Sequence, residues 1–156
     1  MASPQNKPQF LVSACLAGIN CTYRSRNNLT RYIQNMYLSG KCLLVCPEVM
    51  GGLPVPRSRM EIIGGEGLDV LRGKAKVVDI DGRDVTIECV KGVRAAVHLA
   101  EKHRIKKAIL KTNSPCCGKG CIYDGSFKNV LREGNGILTA ALEERGIKVA
   151  SEKTRG

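Results

Sequence analysis

Eight cysteines in 156 residues make thiol chemistry the first question this sequence raises. Cys15 follows the apolar run Gln9-Phe10-Leu11-Val12-Ser13, and Cys46 closes Cys42-Leu43-Leu44-Val45. The pair Cys116-Cys117 comes shortly after Lys107-Ala108-Ile109-Leu110-Lys111. Thiolates gathered from separate loops can hold zinc or an iron–sulfur cluster, or the side chains can simply fill space as small hydrophobes. Cys42, inside an apolar run, and Cys89, inside a helical pattern, read as core. Neighbouring side chains in an extended segment point in opposite directions, so one of Cys116 and Cys117 is expected to face a shared site. Gly118 beside Cys117 removes bulk where a cofactor would approach, which selects Cys117. Cys21 and Cys121 lie further from the runs and are secondary candidates.

Known spacings work by exclusion. There is no C-x-x-C pair, which argues against a zinc ribbon or a thioredoxin-like site, and no closely spaced ferredoxin run. His98 and His103 lack the H-E-x-x-H pattern, and no phosphate-binding G-x-x-x-x-G-K-[ST] loop is present.

The elements that must position these thiols alternate in type. Gln9–Ser13 reads as a first strand. Asn28 is the expected cap of a helix carrying Leu29, Tyr32, Ile33 and Met36, which Gly40 ends. Cys42–Cys46 reads as a strand covered on both faces, stopped by Pro47. The stretch from Glu48 to Gly67, rich in glycine and proline, is expected to be mostly one long loop, with Glu61-Ile62-Ile63 paired locally. Ala75–Ile80, Asp81-Gly82 and Arg83–Ile87 suggest a small hairpin or a strand-turn entry. The spacing of Val90, Val93, Val97 and Ala100 predicts a helix over 86–104 with Thr86 or Asp84 as cap. Lys107–Lys111 is the next strand, Leu138–Arg145 a helix stopped by Gly146, and Ile147–Ala150 the last strand.

Strands alternating with helices imply a single α/β domain: a sandwich with a mainly parallel sheet, whose ligands bind beyond the carboxyl ends of the strands. Cys15, Cys46 and Cys116-Cys117 all fall at that edge. The domain spans residues 1–156, with 1–8 expected to be a flexible N-terminal segment. No apolar run approaches the roughly 20 residues of a membrane span, and the first residues lack a signal-peptide core, so the cytoplasm is the expected location. There the thiols stay reduced. The formal charge of +11 attracts anions, nucleic acid included, but a solvated surface is the commoner origin of scattered Lys and Arg.

Several ordered blocks carry a resemblance. Val12-Ser13-Ala14-Cys15-Leu16-Ala17-Gly18, then Cys46-Pro47-Glu48-Val49-Met50-Gly51-Gly52-Leu53-Pro54-Val55-Pro56-Arg57, then Ser114-Pro115-Cys116-Cys117-Gly118 and Tyr123-Asp124-Gly125-Ser126-Phe127 closely resemble the thiouracil desulfidase family. Cys116 stands where the family usually has a second serine. The resemblance implies a Rossmann-like three-layer domain that binds a 4Fe-4S cluster through three cysteines, here Cys15, Cys46 and Cys117, and leaves one iron without a protein ligand. It implies a non-redox desulfidase that converts thiouracil, or a related thiolated uracil compound, to uracil and hydrosulfide.

Such a reaction needs a base for water and a proton donor. Glu48, two residues beyond Cys46, is the expected acid/base, and Ser114 the expected hydrogen-bonding partner, with Arg57, Glu61 and Lys111 behind them. The expected partner is a small thiolated nucleobase. Two alternatives stand beside it: a desulfidase acting on 4-thiouridine within tRNA, less favoured because so short a chain has no extra domain to grip RNA, and a non-enzymatic zinc or nucleic-acid-binding module.

Overall fold

The computed structural model describes residues 7–153. Its centre is a four-stranded parallel sheet of β1 (Phe10–Ser13), β2 (Cys42–Val45), β5 (Lys107–Leu110) and β8 (Lys148–Ser151), in the order β2-β1-β5-β8. From β1 the chain moves outward to β2, then returns past β1 to β5 and continues to β8. The direction of winding therefore reverses between β1 and β5, and that switch point opens a crevice at the carboxyl edge.

Side-chain alternation along each strand builds the layers. Phe10 and Val12 of β1, Cys42 and Leu44 of β2, and Ile109 of β5 face the cluster that includes Ile33 of α1 (Arg31–Leu38). Leu11, Val45, Ala108 and Leu110 face the opposite way. They pack on Val93, Ala96, Val97 and Ala100 of α4 (Thr86–Lys102) and on Ile137, Leu138, Ala141 and Leu142 of α5 (Ile137–Glu144). The result is the mixed α/β sandwich expected, helix over sheet over helices. Among the described residues no helix is long and apolar enough to cross a membrane.

Two readings need correction, one is resolved between its alternatives, and one hairpin goes unread in the sequence. The stretch from Glu48 to Gly67 has 61–63 paired as expected, in β3 (Met60–Ile63), but the rest is not all loop: it holds α2 (Pro47–Met50) and the start of α3 (Gly67–Leu71). These are one-turn or four-residue elements whose stability comes from packing, not from a periodic pattern. Of the two readings for 75–87 the structure shows the strand-turn entry: β4 (Lys76–Asp79) pairs antiparallel with β3, four positions in register, and is joined to 83–87 by the isolated Val78–Asp84 bridge and by bonds from the Asp79 N–H to the Arg83 carbonyl and from the Val85 N–H to the Val77 carbonyl, both 2.9 Å. The Asp81-Gly82 turn is real, but its outgoing arm leads into α4, where Asp84 Oδ1 takes the Thr86 N–H at 2.9 Å. Thirdly, α1 begins after Thr30, not Asn28, and Asn28 is used elsewhere. Finally, the hairpin of β6 (Cys121–Tyr123) and β7 (Leu131–Glu133) carries no signal in the sequence pattern, its strands being three residues long. Of the N-terminal segment expected to be flexible, residues 1–6 lie outside the described residues.

Candidate active site

Cys15 lies in a buried 3-10 turn, Ala14–Ala17, directly after β1. Gly18, at φ +101°, ends it by turning its N–H back onto the Ala14 and Cys15 carbonyls, a conformation that side chains resist. The Asn28 Nδ2 donates to Cys15 Sγ at 3.4 Å.

Cys46 is the residue before α2, with Pro47 at the first helical position, where its missing N–H is no loss. This short turn is locked to α4 by two glycines. A Cβ on Gly51 would lie 1.8 Å from the Glu88 carbonyl oxygen, and one on Gly92 would lie 1.7 Å from that of Pro47. Glu48 is thereby fixed beneath the strand ends, its residue only 8 % exposed.

Cys117 belongs to the loop after β5. Ser114 Oγ accepts the backbone N–H groups of Cys116 and Cys117 at 3.2 and 3.0 Å, and Thr139 of α5 donates to the Cys117 carbonyl at 2.9 Å. The loop is thus clamped at both ends, and Ser114 keeps its own O–H to donate.

One cavity of about 520 Å³ opens where these segments meet, lined by Cys15, Cys46, Glu48, Lys111, Ser114 and Cys117 among others. All five residues singled out from the sequence as ligands or catalytic groups are brought together there. Cys116 is not among the lining residues: it is fully buried against Cys89. The reason given for preferring Cys117 needs correction, because the space beside Gly118 is taken by the Ser114 carbonyl and Ile122, not left for a cofactor. Cys121 lies outside the cavity wall, and Glu61 serves as a loop anchor, Oε1 accepting the N–H groups of Gly125 and Phe127 at 2.9 and 3.2 Å.

Three contacts of the site escape the sequence reading. Cys21 reaches the cavity, and its carbonyl accepts the Cys46 thiol at 3.8 Å. Asn28 turns to Cys15, a role that no local pattern separates from capping. Arg57, a weaker candidate by sequence, is the direct partner of Glu48: Nη2 donates to Glu48 Oε2 at 3.1 Å and to the Cys21 carbonyl at 3.0 Å. Cys46 Sγ lies 3.5 Å from the same carboxylate oxygen. Glu48 Oε1 and Arg57 Nε are buried with no hydrogen-bond partner among the described residues; the Cys116 thiol nears the carboxylate from the core side without meeting hydrogen-bond geometry.

The surroundings of Cys15, Cys46 and Cys117 favour the protonated thiol. Burial pushes Cys15 up, and Glu48 and Cys46 add to the effect while the Asn28 amide opposes it. Burial pushes Cys117 well up, against a hydrogen bond from Ser13 that favours the thiolate. Cys46 is raised chiefly by the neighbouring Cys21 thiol and by burial, and Cys21 is lowered by the same neighbour. A metal bound here would have to displace these protons. Among the described residues no three His, Cys, Asp or Glu side chains close on one ion. Three soft thiols that ring a cavity suit a polynuclear iron–sulfur group better than a single zinc.

A parallel α/β domain with a thiol-lined crevice at its switch point is the class that fold and site define. Comparison with known proteins narrows it. The chain belongs to the 2-thiouracil desulfurase family, whose model matches residues 10–154. It is 41 % identical over 143 residues to the uncharacterized protein YbbK of Bacillus subtilis (strain 168), covering 92 % of this chain and 95 % of that one. Among solved structures it is similar to the [4Fe-4S]-dependent thiouracil desulfidase TudS, at 38 % identity and a TM-score of 0.82, over 94 % of this chain and 92 % of the other.

Proposed function

We propose that the protein is a thiouracil desulfidase that exchanges the thione sulfur of a small thiolated uracil compound for oxygen, with Cys15, Cys46 and Cys117 holding a 4Fe-4S cluster. The observation that carries this reading is the convergence of these three thiols with Glu48 and Ser114 on one cavity, in a chain of this family. A cluster held by three thiolates supplies an open iron, a soft Lewis acid suited to a thione sulfur and poorly suited to a carbonyl oxygen.

The remaining work falls to the chain. Glu48, oriented by Arg57, takes a proton from the water that attacks the ring carbon, and returns it as hydrosulfide leaves. Ser114 donates its O–H to the developing charge on the ring. Carbon–oxygen bond formation and carbon–sulfur cleavage balance without net electron transfer: thione and water become carbonyl and hydrogen sulfide.

Anaerobic reconstitution followed by assay of sulfide release from 2-thiouracil and 4-thiouracil tests the reading. Brown protein with about four irons and four sulfides, active on at least one base, is expected. Colourless protein with stoichiometric zinc and no sulfide release overturns it.

One observation favours a second reading, 4-thiouridine within tRNA as substrate. The cavity mouth carries Arg24 and Arg26, both exposed. Competition by tRNA, with turnover falling steeply as salt rises, would favour it over the free base.

A further inference from the structure

We infer that Lys111 contacts the substrate: its ammonium donates a charged hydrogen bond to the ring carbonyl oxygen that the reaction leaves in place, and Glu152 positions it to do so. The inference rests on the desulfidase reading proposed above and gives a role to two residues that have none there.

Lys111 stands at the switch point of the sheet. It is the residue after β5, and its backbone N–H donates to Ser13 Oγ, at the end of β1, at 2.9 Å. The residue lines the cavity, its side chain 23 % exposed. Nζ donates to the Thr112 carbonyl at 3.0 Å and meets Glu152 Oε2 at 3.2 Å. An ammonium carries three protons, and the third has no partner among the described residues.

Glu152 is itself tied down. It lies just past β8, its Oε1 accepts the Thr112 N–H at 2.8 Å, and its carbonyl accepts the Tyr32 hydroxyl of α1 at 2.9 Å. The ends of β5 and β8 and one helix thus combine to hold a single cation. A buried ion pair adds little net stability. Support of this kind behind a side chain at a cavity wall is what a preorganised binding group needs.

The other cations of the cavity are placed differently. Arg57 is spent on Glu48 and on the Cys21 and Pro54 carbonyls, and its Nε is closed to solvent. Arg59 is spent on Asn129 and the Phe127 carbonyl, while Arg24 and Arg26 lie exposed at the mouth. Lys111 keeps a proton for a guest.

The substrate supplies the matching acceptor. Either thiouracil carries one thione and one carbonyl, on the two carbons that flank the same ring nitrogen. With the sulfur turned toward Cys15, Cys46 and Cys117, the oxygen is left for the protein to recognise. A cation on that oxygen draws the nitrogen lone pair toward the carbonyl carbon and away from the thione carbon, which then accepts water more readily. Lys111 orients and activates the ring while Glu48 handles the water. No bond to Lys111 forms or breaks.

The test uses reconstituted full-length protein with 2-thiouracil, 4-thiouracil and 2,4-dithiouracil, in which sulfur, a poor hydrogen-bond acceptor, replaces the remaining oxygen. Lys111→Met is expected to keep the wild-type iron and sulfide content. Its kcat/KM for the two monothio bases is expected to fall roughly ten- to hundredfold, with KM raised and kcat lowered, and that for the dithio base to fall far less. Where the dithio base is not turned over, its inhibition constant against 4-thiouracil serves instead. Lys111→Arg is expected to recover part of the loss. Glu152→Gln, which keeps an acceptor for the Thr112 N–H, is expected to show a smaller loss with the same dependence on the ring oxygen, and Lys111→Met/Glu152→Gln to be no worse than Lys111→Met. Should Lys111→Met not fold, Lys111→Gln, which can still meet the Thr112 carbonyl, carries the same comparison. A full cluster with unchanged kcat/KM overturns the inference alone. An equal loss on all the bases also overturns it, because the pair would then be only a structural tie. A wild type that assembles no cluster, or releases no sulfide from any of these bases, removes the desulfidase reading and the inference with it.

Discussion

The Arg57 guanidinium meets the Glu48 carboxylate at 3.1 Å, with the two side chains only 7 % and 10 % exposed. A buried ion pair gives little net stability, but losing one partner strands the other charge in the interior. Arg57→Met is therefore expected to lower unfolding stability by about 3–5 kcal/mol, with Glu48→Gln/Arg57→Met recovering part of it. Urea unfolding of the three proteins measures this. A double variant no more stable than Arg57→Met would show that the stranded charge is not the cause.

Glu48 touches the cavity without being one of the three thiols, which separates cluster binding from turnover. Glu48→Gln keeps the shape of the side chain and removes its base. The expected result is a full iron and sulfide content with sulfide release reduced about 10²–10⁴-fold. Iron analysis beside a sulfide assay decides it, and a Glu48→Gln enzyme of near-normal rate would take the carboxylate out of the mechanism.

Gly92 lies in the middle of α4, where alanine normally gains about 1 kcal/mol of helix propensity. Here the added methyl would sit 1.7 Å from the Pro47 carbonyl oxygen, backbone that cannot swing aside. Gly92→Ala is expected to destabilise by about 1–3 kcal/mol, as overpacked sites do, and to impair cluster uptake by pushing α2, and Cys46 with it, off the helix. A more stable Gly92→Ala protein would mean that α2 is free to move.

What the sequence makes legible is the part written in local pattern. The runs before Cys15, Cys46 and Cys116-Cys117 are apolar and short, and they become the parallel strands that bring distant thiols to one edge. Elements held only by remote partners stay hidden. α2 exists because two glycines let it touch α4, which a window of neighbouring residues does not record. Asn28 shows the same limit at the site. Its type suits a cap and a sulfur donor equally, and only the fold of the loop onto Cys15 chooses. Arg57 is already a candidate in the sequence, but only the folding back of its proline-rich stretch pairs it with Glu48.

Cys42, on the α1 face of β2, gives a pH test remote from the cavity. Burial raises its thiol from the ordinary 9.0 to about 11, with Lys41 pulling weakly the other way. The folded state thus holds this proton where the unfolded chain has lost it. Stability from this group is fully present below the unfolded value of 9.0 and is lost as pH rises toward about 11. Other groups titrate in the same range, so the informative quantity is the stability gap between wild type and Cys42→Ala. That gap is expected to be steady near neutrality, where it reflects packing alone, and to narrow between roughly pH 9 and pH 11 as the wild type gives up its advantage. Urea titrations of both proteins across that range measure it, and a gap that stays constant would show the Cys42 thiol to be open to water in the folded protein.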